Sequence, residues 1–193
     1  MDTISMVFTH REVIANKKLV KAIFVTSFIM MTALGAYVRI PLPFSPVPIT
    51  LQTFFVILCG AILGRKLGTL AQASYVGLGV LGMPIFQSYG MGIMHLAGPT
   101  GGYLAGFIAA AFIVGNLLGK RASGSFLYSL LAMSAGLLAI YACGISWLMI
   151  GYKMDFIKAI SLGCIPFIPG AALKLVTAAW IYSKLKPRID EIL

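Results

Sequence analysis

The chain has 193 residues, 60% of them hydrophobic and only 10% charged, and its mean hydropathy is +0.96. Soluble domains carry about 25% charged residues, so this composition excludes an ordinary soluble domain and leaves room for about six membrane spans of roughly 20 residues each. The net charge of +10 comes from 15 basic and 5 acidic residues. The basic residues fall in small clusters between apolar runs, with no basic stripe interleaved with aromatics, which argues against a nucleic-acid surface.

In chain order, residues 1–18 predict a polar cytoplasmic segment without a signal-peptide cleavage pattern, and residues 19–193 predict one membrane domain. The first span is expected at 19–37. The following loop holds Pro41, Pro43, Pro46 and Pro48, a density that excludes helix and predicts extended or polyproline-like backbone. Thr50 reads as the N-cap of a short helix over 51–64, and Arg65-Lys66 as a tight turn into a span over 67–81. A glycine- and methionine-rich loop without Lys or Arg follows, and then a span over 102–118 that stops at Lys120-Arg121. A fifth span covers 126–150. The sixth starts near Phe156, is interrupted at Pro166 and Pro169, and continues to about Tyr182, ahead of a basic tail.

One side of this arrangement receives Arg11, Lys17, Lys18, Lys21, Arg65, Lys66, Lys120, Arg121, Lys184, Lys186 and Arg188, and the other only Arg39, Lys153 and Lys158. Under the positive-inside rule both termini are cytoplasmic. The expected fold is therefore an all-α integral membrane protein with six transmembrane helices, placed in the cell membrane. The proline loop, the Gly/Met loop and the broken sixth helix then share the outer face. Irregular backbone at membrane depth has to be buried in protein or line a cavity, which predicts a cavity opening outward. Gly60/Gly64, Gly102/Gly106 and Gly115/Gly119 are GxxxG pairs and read as helix-packing contacts within the chain.

Chemistry is sparse. There is no HExxH, no GxSxG and no clustered carboxylate pair. "GNLLGKR" has three residues between glycine and GK where a phosphate loop needs four, and Arg121 stands where Ser or Thr belongs, so the chain should not hydrolyse ATP. Cys59, Cys143 and Cys164 lack metal-ligand spacing and read as small buried hydrophobes. No cofactor or metal is expected. His10 lies in the N-terminal segment, and His95 in the Gly/Met loop either packs there or touches a ligand. Lys174 stands apart, because it lies about ten residues before Lys184, or roughly 15 Å along a helix, too deep for easy snorkelling. An ionisable residue at that depth is a functional candidate, against the alternative of a lysine satisfied by a polar loop. A break at Pro169-Gly170 would free backbone groups and a helix N-terminus beside it.

"FSPVPITLQTFFVILCGAILG" (residues 44–64), "GPTGGYLAGF" (98–107) and "PGAALK" (169–174) resemble the biotin transporter BioY family, the substrate-binding S components of energy-coupling-factor (ECF) transporters. The resemblance implies capture of biotin from outside, with a transmembrane coupling subunit and a pair of cytoplasmic ATPases as partners in the bilayer. It implies docking through small residues of the first helix, here Ala22 with Thr26, with Thr32 and Ala36 as another small pair. It also implies ligand contacts from Gly170, position 171 and Lys174, and from the loop after the third helix, where Gln87, Ser88 and Tyr89 are available. The family's aspartate is Ala171 here. That departure raises the alternative of weaker biotin binding, or of a biotin precursor or related carboxylate as substrate. Phe44, Phe86, Tyr89 and Tyr103 are candidates to pack against the ligand, and the proline loop is a candidate lid. Competing classes are a membrane enzyme, disfavoured by the missing nucleophile–base set, and an assembly partner without a ligand.

Overall fold

The computed structural model describes residues 17–119 and 125–192. His10 and Arg11 of the N-terminal segment, and the basic pair Lys120 and Arg121, lie outside the described residues. Lys17 and Lys18, expected in that segment, form the first turn of helix α1, Lys17–Tyr37. The chain then crosses from β1 (Arg39–Ile40) through the prolines to β2 (Ile49–Thr50), and the two strands pair antiparallel with Arg39 opposite Thr50. This small hairpin is an addition to the all-helical expectation. Its loop is non-helical, as the prolines require, but runs through turns and bends, with the Ser45 N–H donating to the Leu42 carbonyl (3.2 Å), and Ser45 ties it down by donating from its hydroxyl to the Leu162 carbonyl (2.7 Å).

Helix α2, Gln52–Val80, holds both of the next two predicted helices. Its single non-helical residue is Gly64, at φ 72° and ψ −178°, a backbone region open to glycine and costly for other residues. The chain reverses there. Gln52 Nε2 donates to the Tyr75 hydroxyl at 2.7 Å across 23 residues of sequence, a separation that would span about 34 Å in a straight helix. The turn is therefore one glycine rather than the expected Arg65-Lys66 pair. Those two residues begin the returning segment, where they are exposed. Nor does Thr50 cap α2: the capping position is Leu51, which makes no side-chain cap bond, and the Thr50 hydroxyl donates instead to Gln52 Oε1 (3.2 Å).

The Gly/Met loop contains a short 3-10 turn, Gln87–Tyr89, and the five-residue helix α3, Gly92–Leu96. Helices α4 (Gly101–Leu117) and α5 (Phe126–Tyr152) follow the predicted spans closely. Asp155 caps α6, Phe156–Gly163, by accepting from the Lys158 N–H (3.0 Å). The break in the last span lies at the 3-10 turn Ile165–Phe167, around Pro166, and α7 runs over Ile168–Ile192. Pro169 and Gly170 thus sit inside the first turn of α7 rather than at the break, a position that tolerates proline because its missing N–H has no helical partner to lose.

The helices Lys17–Tyr37, Gln52–Val80, Phe126–Tyr152 and the run Phe156–Arg188 are long and apolar enough to cross a membrane, and Gly101–Leu117 is a shorter apolar helix. Their outer faces stay oily: Leu131 and Leu138 on α5, and Leu173, Val176 and Trp180 on α7, are exposed at helical spacing. Soluble monomers rarely carry apolar surface on this scale. The predicted glycine pairs mostly pack within the chain. A Cβ at Gly60 would meet Ala111 of α4, and one at Gly106 would meet Ile140 of α5.

Contacts distinguish the two ends of the bundle. At one, Arg65 donates to Asn116 Oδ1 (3.4 Å), Tyr128 to the Leu117 carbonyl (3.0 Å) and Tyr182 to the Leu118 carbonyl (3.3 Å). Lys17, Lys18 and Lys21 at the start of α1 and Lys184, Lys186 and Arg188 late in α7 belong to this end. At the other, the Leu51 N–H donates to the Gly35 carbonyl (3.1 Å) and the Trp147 indole to the Gly98 carbonyl (2.9 Å). The proline hairpin, the 3-10 turn, α3 and the α6–α7 break gather here.

Candidate functional site

The irregular end holds a partly open cavity. Its apolar walls come from Val47 and Ile49 of the hairpin, Leu104 and Phe107 of α4, Tyr141 of α5 and Phe167 of the break. Its polar groups are Thr50, Gln52, Thr53, Gln87, His95, Thr100 and Lys174. Lys174 is the one charged residue among those lining it, with no carboxylate to balance it.

Lys174 reaches this wall from the second turn of α7. Its ammonium donates to the Thr50 carbonyl (2.6 Å) and to Thr53 Oγ1 (3.3 Å). Both acceptors are neutral, so the hydrogen bonds are partly satisfied while the charge is not. A rigid polar chain stands behind them: Thr50 bonds Gln52, Gln52 bonds Tyr75, and the Tyr75 hydroxyl donates to the Ile85 carbonyl (2.9 Å). The strand pairing at Arg39–Thr50 holds the same backbone from the other side. The lysine is therefore fixed in position before any ligand arrives.

Another part of the wall is built on the Gly/Met loop. Phe86 is fully buried, edge-on to Tyr75 (5.6 Å between centroids, 79°) and stacked on His95 (5.1 Å, 20°). Gly79 makes this possible, since a Cβ there would overlap the Phe86 ring. Gln87 Nε2 reaches Thr100 Oγ1 (3.5 Å), while Gln87 Oε1 and His95 Nε2 are buried without a hydrogen-bond partner. Buried polar atoms are nearly always satisfied in folded proteins, so these two are open sites for hydrogen bonding. Burial lowers the pKa of His95 below its ordinary value, which favours the neutral imidazole.

Of the residues expected from the sequence, Phe86, Gln87, Tyr103 and Lys174 line the cavity together. Tyr103 is buried, with its hydroxyl donating to the Gly163 carbonyl (2.7 Å). Phe44, Ser88, Tyr89, Gly170 and Ala171 are not among its lining residues. Phe44 is exposed in the hairpin loop. Ser88 accepts a hydrogen bond from Arg39, and Tyr89 packs on Tyr37 at 5.0 Å. Both have positive φ, at 60° and 59°. Ala171 is buried in an apolar cluster with Phe28, Ile57 and Leu58, so its methyl fits the local packing. Thr50, Thr53, Gln52, Thr100, Tyr141 and Phe167 escaped the sequence reading. Gln52 could have been flagged, as an amide just inside an apolar helix; the others look like ordinary loop or span residues.

On α1, Ala22 and Thr26 are exposed, together with Met30 and Leu34 one and two turns further on. Thr32 and Ala36 face inward instead. Thr32 is fully buried, donating to the Phe28 carbonyl (2.8 Å) and accepting from Gln72 Nε2 (3.2 Å), so this pair is not on an outer surface.

The BioY family model matches residues 9–191. The chain is 46% identical over 170 residues to the "Biotin transporter BioY" of Thermotoga maritima, covering 88% of this chain and 96% of that protein. It is 43% identical over 162 residues to the "Probable biotin transporter BioY" of Pyrococcus horikoshii, covering 84% and 93%. A crystal structure of "the S-component for biotin from an ECF-type ABC transporter" has the same fold, with a TM-score of 0.83 at 24% identity over 89% of this chain and 93% of that one.

Proposed function

The chain belongs to the BioY family, a family of transport proteins rather than enzymes, and on that premise we propose that it captures biotin and carries it across the cell membrane. The observation that carries this reading is the cavity lined by Lys174, whose ammonium is held by Thr50 and Thr53, together with Gln87 and His95, each of which has an unpartnered buried atom, and by apolar side chains. Biotin has the matching chemistry: a ring urea with one carbonyl and two N–H groups, fused to an apolar ring and carrying an aliphatic acid. Lys174 would donate to an acceptor of the ligand, with Gln87 beside it and Phe86 and Tyr103 against the rings. Phe44, Ser88, Tyr89, Gly170 and Ala171 would act from the surrounding loops and helix.

In this reading α2 crosses the membrane twice, making six crossings with both termini cytoplasmic. Support comes from the basic residues at the end opposite the cavity, which the positive-inside rule assigns to the cytoplasm; the cavity then opens outward. The chain would work as the S component of an ECF transporter, with a transmembrane coupling subunit meeting the exposed Ala22–Thr26 face of α1 and an ATPase pair supplying energy.

Calorimetric titration of the purified protein with biotin, dethiobiotin and pimelate tests the binding step. Biotin should bind, and Lys174→Ala should weaken it about 10- to 100-fold, the loss of a hydrogen bond to a charged group worth about 1.5–3 kcal/mol. Biotin affinity unchanged in Lys174→Ala, or a clear preference for pimelate, would reject this assignment.

A further inference from the structure

We infer that His95 is a specificity-determining residue of this cavity, accepting a hydrogen bond from a ligand N–H at its Nε2 atom. The inference rests on the cavity being the biotin site and adds to that site a contact from the Gly/Met loop, a different segment from the one that carries Lys174.

Three observations carry it. His95 lines the cavity, and its Nε2 is buried with no hydrogen-bond partner among the described residues. The ring is held in place, stacked on Phe86, which is itself fixed between Tyr75 and the bare backbone of Gly79; Gly90 leaves room for the opposite, Nδ1 edge. Finally, no carboxylate lines the cavity among the described residues, so a ligand N–H finds only neutral acceptors there. A neutral imidazole offers one bare nitrogen, and burial already favours that form. A ligand with a carbonyl for Lys174 and an N–H for His95 would be held at two points, whereas a simple carboxylate would leave Nε2 unsatisfied. Rejection of a ligand lacking the matching polar group is the expected consequence of such an unpaired buried atom.

Protonation turns Nε2 from acceptor to donor, so binding should weaken as the pH falls. The other titratable groups facing this cavity are Lys174, Tyr103 and Tyr141, with Tyr75 behind Phe86. Tyr37 and Arg39 engage Pro84 and Ser88 in the same loop. Phenols, ammonium and guanidinium groups ordinarily titrate well above neutrality, and their loss of protons would act on the alkaline side. A change on the acid side therefore reports on His95.

The test is calorimetric titration of the full chain with biotin from pH 8 to pH 5, using wild type, His95→Asn and His95→Phe, with thermal unfolding as a folding control. Wild-type affinity should fall on the acid side, approaching about tenfold per pH unit. His95→Asn, which keeps an amide acceptor but does not titrate, should give a flat profile, and folded His95→Phe should bind at least about tenfold more weakly at pH 8. A folded His95→Phe that binds biotin as tightly as wild type at pH 8, or an acid-side fall that persists in His95→Asn, would overturn the role of His95 while leaving biotin binding intact. No biotin binding by wild type at any pH would overturn the site assignment itself, and this contact with it.

Discussion

Lys174 is costly to place at membrane depth, and its surroundings explain how the chain tolerates it. The Thr50 carbonyl and Thr53 hydroxyl take its hydrogen bonds, while the cavity leaves the charge available to a ligand. The residue stood out in the sequence as a lone cation in an apolar run, and the alternative of a lysine held by a polar loop is met in part by these two threonines. Its acceptors did not stand out, because a backbone carbonyl has no sequence signature. Ala171, which stands where the resemblance places an acid, packs its methyl into the apolar core, a placement that no motif announces. Gly79 carries a prediction at this scale. Gly79→Ala should push Phe86 out of its slot, disturb His95 above it, and destabilise the protein by about 1–3 kcal/mol as overpacking does. Thermal unfolding should show a lower midpoint, and biotin titration a weaker affinity; unchanged values in both would mean that Phe86 has room to move.

Among the elements, spans with strong apolar character were easy to locate, and α4 and α5 lie within a few residues of expectation. Local breaks were harder. The reversal in α2 needs only Gly64, because a single residue at positive φ turns the backbone, whereas charge pattern alone draws attention to Arg65 and Lys66. The strand pair at Arg39–Thr50 is two residues deep, too short for any alternation to show. The hairpin it closes lies over the cavity end, with Arg39 and Tyr37 engaging Ser88 and Pro84 of the facing loop. If these loops separate to admit ligand, locking them should stop transport. In a background without Cys59, Cys143 and Cys164, bridging Arg39→Cys and Ser88→Cys with a bifunctional methanethiosulfonate reagent should block uptake until a reductant is added. Uptake at the wild-type rate in the cross-linked protein would show that entry does not require the hairpin to move.

For the whole molecule, one division organises the rest: basic residues at one end, irregular backbone and a cavity at the other, and an oily belt between them. That division follows from the sequence, since apolar runs set the belt and lysines and arginines set one end. Which residues converge across the cavity did not follow, because Thr50, His95, Tyr141 and Lys174 are brought together only by helix packing. In the proposed reading the cavity and the exposed Ala22–Thr26 face of α1 are two separable surfaces, one for ligand and one for a partner. Uptake of labelled biotin, at concentrations near its affinity, by cells that lack their own biotin uptake and are supplied with an ECF energising module, tests both at once. Wild type should accumulate biotin. At equal membrane levels Lys174→Ala should lose uptake with binding, and Ala22→Trp/Thr26→Trp should lose uptake while still binding biotin. No accumulation by wild type, or uptake by Lys174→Ala equal to wild type, would contradict the account.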